Sequence, residues 1–175
     1  MPETPPLTSE EVAALRRLLE TEKIRKLAQL YSHYMDGRDF AAMAGLYTED
    51  ALCEWGPYGT WRGREAIRRA LVDGHPGRIP YDGLHVTTNL WVELTGQDTA
   101  VSRNYLTDVW PDGEEGPISH AGYPANPVIL YAIYDNDYRK AGGEWKIARS
   151  AIQFVWPRRL TSEGFPRKLA ASVGG

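Results

Sequence analysis

Apolar positions along the chain follow two rhythms. From Val12 through Leu15, Leu19, Ile24, Leu27, Leu30, Tyr31 and Tyr34 they recur every three or four residues, the spacing of one helix face. Thr8 followed by Glu11 forms a capping box that opens this helix, with a bend expected near Thr21. Gly37, after Met35 and Asp36, is its expected stop. Asp39 then caps a short second helix over 40–47 that turns Phe40, Met43 and Leu46 or Tyr47 inward. Short strands over 51–55 and 59–62 flank Gly56 and Pro57, and a third helix over 63–71 buries Ile67 and Leu71.

Beyond a loop over 72–83 the rhythm changes to alternation. Residues 83–110 read as two strands rich in β-branched and aromatic side chains, joined at Thr95-Gly96-Gln97-Asp98. Glycine at the first central position suits a two-residue type II′ turn. That turn sets Trp91 against Ser102, Asn89 against Asn104 and His85 against Asp108, so His85, Thr87, Asn89 and Trp91 share one sheet face with Asp108. One bulge would break the register. A second alternating hairpin, 128–139 and 144–156, turns at Gly142-Gly143 and sets Tyr138 against Ile147 and Asn136 against Arg149. Between the hairpins, residues 111–127 are rich in Gly and Pro, a length that in a compact domain marks a lid or a mobile loop. Helices followed by antiparallel strands predict an α+β domain in which helices cover one face of a curved sheet and enclose a pocket. The expected organisation is a loose leader over 1–8, a single domain over 9–157 and a basic tail over 158–175.

Composition narrows the function classes. With 175 residues, 42% hydrophobic and 25% charged, the chain is an ordinary globular domain able to bury a core. A formal net charge of −3 gives no reason to expect nucleic acid or an anionic membrane as partner. A single cysteine, Cys53, excludes an internal disulfide and a structural zinc site. No apolar run approaches the roughly 20 residues of a membrane span, and the N-terminus lacks signal-peptide character, so a cytoplasmic location is expected. No phosphate-binding, dinucleotide, zinc-protease or hydrolase-elbow motif is present, so the sequence calls for no metal and no cofactor. Six Trp and ten Tyr are the unusual feature, suited to a ligand cavity as well as to a core.

His85 is the candidate general base or acid, since imidazole titrates near neutrality. A lone histidine is more often structural, but Asp108 stands opposite it in a strand, where aspartate is disfavoured. Asp36 ends a tyrosine-bearing helix; capping a turn is its ordinary alternative. A carboxylate on one imidazole nitrogen fixes the tautomer and raises basicity at the other. Tyr31 and Tyr34 lie on one helix face, as core residues or as donors to a developing oxyanion. Tyr34, Asn89, Tyr105, Trp55 and Arg149 complete the expected substrate-binding set. His33 and His75 read as exposed, and His120 falls in the loop over 111–127.

Taken together, LAQLYSHYMDGRDFAAMAGLYTEDA, GREAIRRAL, HVTTNLWVEL and YAIYDNDYRKAGGEWKIARS resemble the SnoaL-like branch of the nuclear transport factor 2-like superfamily, over residues 10–156. The resemblance implies a cone: a strongly curved, mostly antiparallel sheet whose helices close a deep pocket. It is strongest for the dehydrochlorinase, scytalone dehydratase and bile-acid dehydratase group. In that group a sheet histidine is the base and an aspartate at the first helix end orients it, positions held here by His85 and Asp36. The helix tyrosine and sheet aspartate of the bile-acid dehydratases fall on Tyr31 and Asp108. What this implies is a cofactor-independent lyase acting on an apolar cyclic small molecule. The alternatives are an isomerase or cyclase in the same pocket, a non-catalytic binder, and a dioxygenase β-subunit-like protein. It also implies a homo-oligomer, a trimer or dimer.

Overall fold

The first helix begins where its side chains satisfy the free backbone ends. In the computed structural model, which describes residues 5–110 and 128–156, Thr8 accepts from the Glu11 N–H and Glu11 accepts from the Thr8 N–H. Residues 1–4 of the expected leader, the expected lid over 111–127 with His120, and the tail over 158–175 lie outside the described residues. Helix α1 runs Ser9–Asp36, but burial begins only at Ile24 and continues through Leu27, Ala28, Tyr31, Ser32, Met35 and Asp36. Leu15 and Leu19, expected on the inward stripe, are exposed, because the first half of α1 extends past the sheet. At its end Gly37 keeps a right-handed conformation, and the residue with positive φ is Arg38.

Helix α2 (Phe40–Gly45) is capped by Asp39, and strand β1 (Tyr47–Glu54) follows at once. A 3-10 turn at Gly56–Tyr58 leads into β2 (Thr60–Arg62), and α3 (Arg64–Asp73) precedes the long hairpins β3 (Leu84–Leu94)–β4 (Thr99–Trp110) and β5 (Val128–Ala141)–β6 (Glu144–Trp156). The six described strands form one mixed, curved sheet in the order β2-β1-β6-β5-β4-β3, and among them only β1 and β6 are parallel. Alternating burial on β4 marks its inner face: Ala100, Ser102, Asn104, Leu106 and Asp108. No described helix is long and apolar enough to cross a membrane.

Both hairpins carry a bulge, and the bulges decide which side chains face inward. In β3–β4 the connection is wider than the expected two-residue turn: Leu94 pairs with Ala100, and the Thr95 and Gly96 N–H groups both donate to the Thr99 carbonyl. The register then shifts between Thr88 and Trp91, one extra residue on β3, with Asn89 at φ 52°. Trp91 therefore pairs with Arg103, while His85 still pairs with Asp108. In β5–β6 the two-residue turn at Gly142-Gly143 has φ of 62° and 84°, the left-handed pair that glycine adopts freely. Tyr138 faces Ile147 as expected. A shift just beyond sets Arg149 against Asp137, and Asn136 against Ser150.

Candidate active site

Three elements bring the candidate residues together. The last turn of α1 supplies Asp36, the first residues of β3 supply His85, and the end of β4 supplies Asp108. The Asp36 carboxylate accepts from the His85 backbone N–H at 3.0 and 3.2 Å, and its Oδ1 lies 2.7 Å from the imidazole Nδ1. The Asp36 carbonyl also accepts from the Tyr81 N–H at 2.7 Å, so helix end, loop and strand are tied at one residue. On its far side His85 Nε2 is 3.7 Å from Asp108 Oδ2. The imidazole is 7% exposed, and Asp108 Oδ1 is buried without a hydrogen-bond partner. Burial alone would push the imidazole pKa down, but Asp108 and Asp36 outweigh it and hold the value above 6.5.

Around this triad stand residues that the sequence did not single out. The Trp110 ring meets His85 edge-on at 6.3 Å and stacks near His75, with the Arg38 and Arg78 guanidinium groups 5.0 and 4.7 Å from its centre. A Cβ on Gly83 would stand 2.9 Å from that indole, so only glycine lets the loop pass it. Arg38 pairs with Asp82, clasping the loop before β3 to the end of α1. His75 is half-buried rather than exposed; burial lowers its pKa, against a bond from its ring to the Leu71 carbonyl. Tyr58 packs on Phe154, and its hydroxyl acidity is weakened by burial and by the nearby Asp108 charge.

The remaining expected residues divide. Tyr31 is buried, and its hydroxyl bonds that of Tyr134 at 3.3 Å; burial first, then neighbouring groups, push its pKa well above 10.0. Tyr34 packs on the core, and Trp55 sits edge-on against Trp61 rather than lining the hollow bordered by Tyr31 and Tyr134. Asn89 is exposed at the bulge. Tyr105 is 46% exposed on the outer face, the opposite parity to Asn104 and Leu106. Arg149 also faces outward, where it pairs with Glu54 at 2.6 Å beside Asp137, because the β6 bulge reverses its parity. In place of the expected deep pocket there is a small hollow with room for about one water molecule, and His85, Asp36 and Asp108 are not among its lining residues. Among its lining residues are Tyr31, Asn104, Tyr134, Asn136, Tyr138 and Ser150. Asparagine is disfavoured within strands, the same signal that marked Asp108, so Asn104 and Asn136 carried a legible clue.

Similar architecture occurs in solved structures. A protein assigned as a scytalone dehydratase from Novosphingobium aromaticivorans is 21% identical, with 85% of this chain and 95% of that chain covered and a TM-score of 0.67. A nuclear transport factor 2-like protein with a cystatin-like fold from the same species is 22% identical over 89% and 94% of the two chains, with a TM-score of 0.68. A hexachlorocyclohexane dehydrochlorinase from Novosphingobium barchaimii is 18% identical over 85% and 99%, with a TM-score of 0.65. At these identities the likeness establishes the fold. Comparison with curated proteins gives no match. Residues 16–151 match the SnoaL-like domain, and the chain belongs to that family.

Proposed function

We propose that the chain is a cofactor-independent lyase in which His85, oriented by Asp36, removes a proton from carbon in a cyclic small molecule. The observation that carries this is a buried imidazole bonded to one carboxylate at 2.7 Å while its other nitrogen faces a second at 3.7 Å. Asp36 fixes the Nδ1–H tautomer and leaves the Nε2 lone pair as the base. The C–H bond next to an activating carbonyl breaks as Nε2–H forms. The freed electron pair becomes the new C=C bond, and the C–O bond breaks toward oxygen. The imidazolium returns its proton to that oxygen, water departs and neutral His85 is restored. With a halide as leaving group the proton goes to solvent instead. Asp108 stabilises the imidazolium between the two steps. Tyr31 and Tyr134, kept neutral by burial, share one hydrogen bond, which leaves one of their two hydroxyls to donate to a developing enolate oxygen. Isomerisation or ring closure would begin with the same proton removal and differ only in where the proton returns.

The proposal extends to assembly as a homo-oligomer, since Leu84, Val86, Tyr105 and Tyr131 leave an uncharged, exposed patch on the outer sheet face. The decisive experiment follows enone absorbance from a panel of cyclic β-hydroxyketones. His85→Ala should lose about 10²–10⁴-fold in turnover with an unchanged circular dichroism spectrum. A folded variant that retains turnover would remove His85 from the chemistry.

A further inference from the structure

Asp36 and Asp108 favour the charged form of His85, and an imidazolium cannot accept a proton. A base held between two carboxylates needs an opposing charge to keep its neutral form populated near neutral pH. Among the described residues, the other ionisable groups around it come from three places. Arg38 follows the end of α1, and the loop after α3 brings His75, Arg78 and Asp82. Tyr58, from the 3-10 turn, is kept protonated by burial and by the Asp108 charge. His75 is pushed toward its neutral form by burial and by Arg38, against its bond to the Leu71 carbonyl.

The two arginines are the cations of this group, and they are placed differently. Both guanidinium groups lie over the Trp110 ring, which meets His85 edge-on. The Arg78 side chain is 19% exposed, whereas that of Arg38 is 8% exposed and stands two residues from Asp36. Arg38 takes the left-handed conformation, φ 58°, although Gly37 beside it would adopt it freely. Its guanidinium is held at three points: by Asp82 at Nη2, by the Ile79 carbonyl 3.5 Å from Nε, and by the Trp110 ring. Nη1 is buried with no hydrogen-bond partner among the described residues. Asp82 is also 3.9 Å from Arg78, so its charge is shared between two guanidinium groups. In a buried setting such charges act on one another with little screening.

From this arrangement we infer that Arg38 is a positioning residue of the proposed reaction: its buried charge, held over Trp110 by Asp82, opposes Asp36 and Asp108 and keeps His85 available as a proton acceptor. The inference rests on the proposed lyase only in taking His85 as the base. Burial and Arg38 disfavour the charge on His85, while Asp108 and Asp36 favour it and prevail. A clasp that only ordered the loop would behave differently, since losing either Arg38 or Asp82 would loosen it in the same way. Two opposite charges instead act on His85 in opposite directions.

A proton NMR titration of His85 in the full chain, its signal assigned by loss in His85→Gln, separates the two. Arg38→Met should raise the midpoint by about half a pH unit or more, and Arg38→Lys should return it toward the native value. Asp82→Asn should lower it. The acid limb of kcat/KM on the cyclic β-hydroxyketones should move with the midpoint, a change of about threefold at fixed pH for half a unit. An unchanged midpoint in Arg38→Met, or movement of Arg38→Met and Asp82→Asn in one direction, would overturn the assignment. If Arg38→Met does not fold, the sign of the Asp82→Asn shift decides. The titration needs no turnover, so the two readings fail separately. Shifts of opposite sign in a chain without lyase activity would remove the lyase and keep the effect of Arg38 on His85. An active lyase whose midpoint ignores Arg38 would do the reverse.

Discussion

The two ends of the inner sheet face solve different problems with the same backbone. At one end Asp36, His85 and Asp108 bring three ionisable groups together in a buried space, where the two carboxylates favour the charged imidazole. At the other, Asn104, Asn136 and Ser150 stay polar and carry no charge. Burying an unpaired charge is far more costly than burying an amide, so the ionisable groups face one another while the rest of the buried polar face consists of amides and hydroxyls. The outer face of the same strands provides a third environment, in which Arg149 and Glu54 form a partly exposed ion pair.

The largest effect that sharpens this contrast should come from the charged end. Asp36→Asn removes the carboxylate that fixes the tautomer while keeping size and shape; turnover on the hydroxyketone panel should fall about 10²-fold. A fall of less than threefold would leave Asp36 a cap and nothing more. A smaller effect concerns protonation. In a proton NMR titration the native His85 should titrate above 6.5, and Asp108→Asn should lower its midpoint. Because folding raises this pKa, the associated stabilisation is complete below the unfolded histidine value and is lost as pH rises through the folded value. The stability of the native chain relative to His85→Gln in urea unfolding should therefore weaken as pH rises above the ordinary histidine value of about 6.5. Identical pH dependence in the two proteins would mean that the flanking carboxylates do not hold a proton on His85. The smallest effects belong to the outer face. Tyr105→Ala and Arg149→Ala should each change turnover less than about twofold, and a larger loss from either would break the separation of the two faces.

How far the sequence reached depends on parity. The helices, the two long hairpins and the pairing of His85 with Asp108 were legible; the strand order within the sheet and the parallel β1–β6 pair were not. That pairing was recovered through two opposite errors: the turn after Leu94 is wider than a two-residue turn, and the bulge after Thr88 restores the register. Between those points the expected faces were reversed, which is why Asn89 and Trp91 point away from Asp108. The bulge near Ala148 did the same to Arg149 and moved Asn136 opposite Ser150. A bulge changes side-chain parity without a distinctive residue to announce it, so strand existence can be read from alternation while inward orientation cannot. Arg38, His75 and Trp110 were hidden for another reason. They converge from a helix end, a loop and a strand end, and no local period connects them.

The parallel pairing of β1 with β6 also orders events in time. Leu52 meets Arg149 across roughly 100 positions of chain, and β6 lies between β1 and β5 in the sheet. During synthesis α1, β3 and β4 can associate around Asp36, His85 and Asp108 as soon as the first long hairpin has emerged. The strand that joins β1 to that assembly, β6, is the last of the six described strands to be made. Folding therefore ends with a long-range closure, slow by its topology, and until then β1 and β5 present open edges that another chain could pair with.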